Sequence, residues 1–294
     1  RQRQMCIRDR YVMYVDNFII DGLQAVIPDD NFEAYLEANG MGDGIPNNDS
    51  VSIANIANVK KLDVSNQNIS DLSGISYFTE LIILVCENNS LTSLDITQNS
   101  NLEKLNCRYN QISNIDLSQN TALSTLNLSD NNFSSINITQ NTGLEQLSCE
   151  DNLLTSLDVS NNTSLRYFIC GDNQLTNLDI SANPALTYLG CHANQLTSLD
   201  VTNNTALEVL SFGKNQLSVI DVSINTSLNE TRCYENQLTS LDLSSNTNLT
   251  KIDLSYNPLT CLNLKNGFNT NIVVFKSKKN PNLNCIEVDN PSWS

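Results

Sequence analysis

From Leu81 a 21-residue unit recurs nine times without a gap, with copies beginning at Leu81, Leu102, Leu123, Leu144, Leu165, Leu186, Leu207, Leu228 and Leu249. A unit this short cannot enclose its own apolar side chains, so it buries them only by stacking on further copies of itself. The chain is thereby restricted to a solenoid. One copy, residues 186–206, reads LTYLGCHANQLTSLDVTNNTA. Position 9 is Asn in all nine copies: Asn89, Asn110, Asn131, Asn152, Asn173, Asn194, Asn215, Asn236 and Asn257. Position 11 is always apolar, position 14 is Leu or Ile, and position 15 is Asp in seven copies.

Alternation within LxxLxC puts positions 4 and 6 on one face of an extended segment and positions 3, 5 and 7 on the other. Strands from successive coils then pair in a parallel sheet running along the solenoid. Where each strand turns away, backbone groups leave the sheet and need partners. A buried Asn, with two donors and an acceptor, bonds both the turn and the neighbouring coil. Position 9 is read on that ground as a structural asparagine ladder. The unit is also nested, since positions 1–10 read LxxLxCxxNx and positions 11–21 read LxxLDVSxNTx. Position 19 repeats the Asn in eight copies, from Asn99 to Asn246, and is Gly267 in the ninth. Each coil offers two similar strands and no helical period, which predicts a flattened solenoid with sheets on both faces.

The pattern LxxLxCxxNxLxxLDVSxNTx resembles the nested 21-residue leucine-rich repeats of surface and secreted proteins from Bacteroidetes-type bacteria. The resemblance covers residues 81–269, and residues 59–80 are similar to a transitional leucine-rich unit with Gln67 in the ladder place. It implies a mainly β leucine-rich-repeat solenoid with a short N-terminal helical cap over 11–58 and a C-terminal cap, cut short, over 270–294. It also implies a location at the cell surface or outside the cell. The first ten residues, RQRQMCIRDR, read as a non-native leader. Within the N-terminal cap, Asp29 or Asp30 caps a helix that follows Pro28, places Phe32, Tyr35 and Leu36 on one face, and stops at Asn39-Gly40.

A net charge of -16 argues against nucleic acid and anionic membranes as partners. No apolar run reaches the ~20 residues of a membrane helix, so membrane insertion is not expected. Six cysteines at inward position 6 (Cys86, Cys107, Cys149, Cys170, Cys191 and Cys233) read as small core side chains. Cys261 and Cys285 hold matching outward places one coil apart, and neighbouring strands at ~4.8 Å bring such a pair within disulfide reach. The alternative is a cysteine beyond the end of this chain.

The position-15 column of Asp95, Asp116, Asp158, Asp179, Asp200, Asp221 and Asp242 is outward and stacked. Either each carboxylate accepts hydrogen bonds from the Ser or Thr at position 17, or calcium bridges Asp158, Asp179, Asp200, Asp221 and Asp242. Mutual repulsion along the column would raise its pKa values. The segment NGMGDGIPNNDS weakly matches a calcium loop around Asp43-Gly44. No other cofactor is expected.

Catalysis has little to draw on. The one histidine, His192, stands at outward position 7 with no acid beside it in the sequence, and reads as a solvated side chain. What varies is the first-strand face, which carries Arg108, Tyr109, Arg166, Tyr167, Tyr188, His192, Arg232, Tyr234 and Tyr256 against monotonous Ser and Thr on the second. Rigidly held tyrosines suit contact with a protein or a glycan, although cross-strand pairing alone also accounts for them. The reading is a non-catalytic binding module of an exported bacterial protein, acting as a monomer. The alternatives are a structural spacer or the accessory domain of an enzyme.

Overall fold

The computed structural model describes residues 23–290 and residue 292. The leader assigned to residues 1–10 lies outside the described residues. The N-terminal cap pairs Gln24–Val26 antiparallel with Ser50–Ser52 around helix α1, Asp30–Ala38. Asp29 is its N-cap: Oδ1 accepts from the amides of Asn31 and Phe32 at 3.1 and 3.0 Å. Its other oxygen accepts from the Ser70 amide and hydroxyl, both at 2.8 Å, and so ties the cap to the first coil. Burial opposes ionisation of Asp29, but the hydrogen bonds from Ser70, Phe32 and Asp71 outweigh it and hold its pKa low. Phe32 and Leu36 are fully buried, and the Phe32 ring stacks on Phe78 of the first turn. α1 thereby covers leucines that would otherwise meet water at the end of the stack.

The loop after α1 is organised by carboxylate acceptors. Buried Glu33 takes the Asn48 and Asp49 amides, and Glu37 takes that of Asp43. The Asp43 carboxylate itself accepts from the Ile45 amide and the Asn48 side chain. These carboxylates are occupied by N–H donors, which does not support a calcium loop at Asp43-Gly44.

Eleven three-residue strands, running from Lys61–Asp63 to Val274–Lys276, form one parallel sheet in sequence order. Register advances one repeat per strand, as in Tyr167↔Tyr188 and Phe168↔Leu189. The coil beginning at Leu165 buries Leu165, Phe168, Cys170, Leu175, Leu178 and Ile180, none more than 5% exposed. Side chains of this size contribute about 1.5–3 kcal/mol each when buried. The six position-6 cysteines are buried and free. Burial pushes the Cys107, Cys149, Cys191 and Cys233 thiols up to about 12, so they act as apolar filling rather than as thiolates. Cys261 and Cys285 face each other in register at a Cα separation of 4.5 Å and are disulfide-bonded.

Two asparagine columns clamp the coils. At position 9, Asn131 donates to Cys107 O of the preceding coil at 3.0 Å and to Leu128 O of its own at 3.1 Å. Its Oδ1 accepts from Ile112 N at 3.0 Å. Asn280 adds a further rung beyond the nine repeats by donating to Leu254 O at 3.0 Å. At the other end Gln67 turns back to Ser65 O, so its place in the column makes no inter-coil side-chain bond of this kind. The second column, at position 19, is deeper: Asn99, Asn120, Asn141, Asn162, Asn183, Asn204, Asn225 and Asn246 are all 0% exposed. Asn162 donates to Ile138 O at 3.1 Å and to Asn141 O at 2.9 Å, both in the coil before. In the ninth coil Asn266, not Gly267, continues the column by donating to Asn246 O.

The second face departs from the expectation of a full sheet. Among the described residues, strands form there only at Ser240–Asp242, Cys261–Asn263 and Cys285–Glu287. In the coils before them the position-19 amide occupies the position-16 carbonyl of the preceding coil, as Asn204 does at Ile180 O, and the position-15 carboxylate captures the position-17 amide, as Asp200 does with Thr202 N at 2.9 Å, a capture that Asp242 also makes at the end of a strand.

That capture also reverses the expected sign of the aspartate column. Hydrogen bonds from the residue two ahead, led by its hydroxyl in most copies, lower the carboxylate pKa at Asp95, Asp116, Asp158, Asp179, Asp200, Asp221 and Asp242. Repulsion from a neighbouring aspartate of the column, where it registers, is a smaller opposing effect. Among the described residues no three of these carboxylates converge within 4.8 Å.

Two measurements check this account. Asn162→Ala removes two inter-coil bonds at about 1 kcal/mol each and leaves a small void. It should lower the urea-unfolding free energy by about 2–3 kcal/mol, whereas Asn161→Ala at the exposed neighbour should cost under about 0.5 kcal/mol. Because the aspartate pKa values are depressed on folding, their contribution is complete at neutral pH and is lost as pH falls through the folded-state values. Melting temperature should therefore drop on acidification below about pH 4. The drop should shrink when Asp179, Asp200 and Asp221 become Asn, a residue that already makes the same turn at Asn137. Stability that rises toward pH 4 would restore the repulsion account.

Candidate functional site

The outward face of the long sheet is shaped by what happens just after each strand. Position 8 is left-handed in every copy: Asn88, Tyr109, Asp130, Asp151, Asp172, Ala193, Lys214, Glu235 and Tyr256 have φ between 48 and 58°. Asn and Asp tolerate this conformation better than other non-glycine residues. Tyr109 and Tyr256 consequently stand in this turn and not on the strand, 48% and 52% exposed. Arg108 lies 4.3 Å over the Tyr109 ring, donates to its hydroxyl at 2.9 Å, and pairs with Asp130 at 2.6 Å. These residues line one end of the face together with Asn66 and Glu87.

At the centre, the strand register brings Tyr167 and Tyr188 side by side. Their rings stack with centroids 4.4 Å apart and planes 26° apart. Tyr167 is 38% exposed and Tyr188 half-buried. Burial, followed by the neighbouring Tyr188 and Glu150, raises the Tyr167 phenol pKa. Arg166 is exposed beside them and pairs with no carboxylate among the described residues. Gly190 adjoins the stack, since a Cβ there would stand 3.4 Å from Tyr188 Cε1.

His192 is not the solvated side chain that its sequence neighbours suggest. Its Nε2 lies 3.1 Å from Glu150 Oε1 and 3.1 Å from Asp172 Oδ2, and its side chain is 23% exposed. The imidazole reaches Glu150 by lying across Gly171, where a Cβ would come within 2.6 Å of His192 Cε1. The same device recurs at Gly213, over which the Tyr234 ring lies. Burial raises the Tyr234 phenol pKa, with Asp172 among the charges that add to the effect. At the far end, nearly buried Glu230 pairs with Arg232 and with Lys251. Of the nine predicted residues, Arg108 and Tyr109 meet toward one end, Tyr167 and Tyr188 stack at the centre, and Arg232 pairs with Glu230 toward the other end, so they do not gather into one site.

Glu150, Asp172, Gly171, Gly213 and Glu230 were not among the candidates. The signal for the first four is visible only when positions 7 and 8 are read down the copies, where Glu150, Gly171, His192, Gly213 and Tyr234 follow in consecutive coils. Apart from the disulfide pair with Glu287, Glu150, Asp172 and His192 are the sole group of three metal-type ligands that converge among the described residues.

No family model matches the chain. It is similar to internalin J of Listeria monocytogenes, 36% identical over 73 residues, which are 25% of this chain and 8% of that protein. The solved functional domain of InlJ, which includes a cysteine ladder, superposes with a TM-score of 0.76 at 31% identity, over 90% of this chain and 64% of that one. A leucine-rich-repeat protein of Leptospira interrogans gives 0.69 at 24% identity, over 76% of this chain and 62% of that one. The LRIM1/APL1C complex gives 0.64 at 22%, over 77% of this chain and 45% of that one, a likeness of fold. This chain therefore spans less than two thirds of each. With its parallel sheet, few helices and paired asparagine columns, it is a leucine-rich-repeat protein related to the bacterial internalins.

Proposed function

We propose that this chain is the non-catalytic binding module of an exported bacterial protein, and that it recognises a protein or glycan through the outward face of its long sheet. The observation that carries this reading is the Tyr167–Tyr188 stack, two aromatic side chains held in register on a rigid sheet and open to solvent. Aromatic and arginine anchors supply most of the energy of such interfaces, and a pre-ordered pair loses little conformational freedom on binding. Arg166 stands next to the stack, and Arg108 and Arg232 flank it at the two ends of the same face. The fold agrees with this role, because a related solenoid is found in the LRIM1/APL1C complex. The second face presents Ser and Thr in copy after copy and offers no comparable anchors.

The test begins with a glycan array and with affinity capture of host and bacterial surface proteins, followed by equilibrium binding of the purified component. Tyr167→Ser with Tyr188→Ser should weaken binding about tenfold or more and lower the melting temperature little, since neither ring fills the core. Ser156→Tyr and Ser198→Tyr on the opposite face should leave binding unchanged. Normal binding by the double tyrosine variant, or loss through the Ser→Tyr changes, would place the ligand elsewhere. A chain that binds nothing on any surface tested would favour the spacer reading.

A further inference from the structure

We infer that Glu150, Asp172 and His192 form a binding site for a divalent cation of the zinc class. The three come from successive coils: Glu150 and His192 from position 7 of two coils, and Asp172 from position 8 of the coil between them. A single imidazole nitrogen, His192 Nε2, stands 3.1 Å from a carboxylate oxygen on each side. That nitrogen has one hydrogen at most and cannot donate in line to both oxygens. A cation in place of the hydrogen serves all three groups. Zinc binds His nitrogen and carboxylate oxygen at about 2.0–2.2 Å, and two such bonds spanning 3.1 Å enclose about 95–100°, between the octahedral and tetrahedral values. Nitrogen in the ligand set favours zinc, cobalt or nickel over calcium and magnesium, which prefer oxygen alone.

The site is also built by its surroundings. The imidazole crosses a coil only because residue 171 is Gly, where any Cβ would meet the ring at 2.6–2.9 Å. Asp172 occupies the left-handed turn, a conformation that Asp accepts at low cost. Asp172 is half-exposed and Glu150 about a quarter exposed, so the remaining coordination positions open to solvent on the sheet face. This inference stands whether or not that face binds a macromolecule.

The test uses the full chain, oxidised, without a polyhistidine tag, so that His192 is its only imidazole. Zinc is titrated by calorimetry and cobalt by its visible ligand-field absorption. One equivalent should bind, and zinc should protect His192 from diethyl pyrocarbonate. His192→Gln should abolish the uptake and the cobalt spectrum. Gly171→Ala, which drives the ring off its shelf, should weaken zinc by about tenfold or more. Melting curves in chelator establish that each variant is folded. The inference fails if the parent takes up no zinc, or if His192→Gln binds as well as the parent. It fails equally if uptake is lost only in Cys261→Ser with Cys285→Ser, which would assign the metal to the other cluster.

Discussion

Every coil leans on the next through a buried amide. At position 9 an asparagine gives both donors to carbonyls and takes an N–H in return, so the turn that ends each strand is satisfied partly by the neighbouring coil. At position 19 a fully buried asparagine donates across the junction, and its own oxygen receives no hydrogen bond among the described residues. The two donated bonds, together with the leucines they bring into contact, form only when a further coil is present to accept them. Stability is accordingly a property of junctions, as a one-dimensional stack requires, and the polar columns fix the 21-residue register more strictly than interchangeable leucines do.

That dependence explains why outward positions are free to vary. A strand contributes only three residues to the sheet, and its register is already set by the asparagine columns and by the inward side chains. Position 7 runs through Glu, Arg, Ser, Gly, His and Tyr without disturbing the ladder beneath it. The left-handed residue at position 8 then turns the chain the same way in every coil, even where it is Ala193, Lys214 or Tyr256. Such residues pay a local cost of roughly 1–2 kcal/mol, and nine identical turns show that the junction overrides it.

How much of this was legible follows from where the information lies. The inward leucines, the position-9 column and the stacking of Tyr167 on Tyr188 are consequences of a period that the eye can count. So is the α1 cap at Asp29, because Asp before an amphipathic segment has one local meaning. The partners of His192 were hidden because they sit 42 and 20 residues away, related only by the column and by two missing Cβ atoms at Gly171 and Gly213. The aspartate column was misjudged for another reason. Stacking of like charges is visible in sequence, but capture by the hydroxyl and amide two residues on acts at hydrogen-bond range, whereas exposed charges a coil apart are screened by water. Gln67 and Asn266 show the same limit, since an amide in or beside the right place makes a rung only if its donors reach the carbonyl of the coil before.

The two faces of the solenoid therefore divide the work by what each leaves unspent. On the second face the carboxylates at position 15 and the hydroxyls at position 17 are consumed by one another within their own coil, so the surface is polar but already satisfied. On the first face the groups pair between coils: Tyr167 with Tyr188, His192 with Glu150 and Asp172, Lys251 with Glu230. Pairing across junctions leaves one side of each ring or carboxylate turned to solvent. It also holds that side rigid, because the coils beneath cannot move independently. A surface with pre-ordered aromatic and ionisable groups, of which only one flank is engaged, is the kind that gains from a ligand without first having to be reorganised.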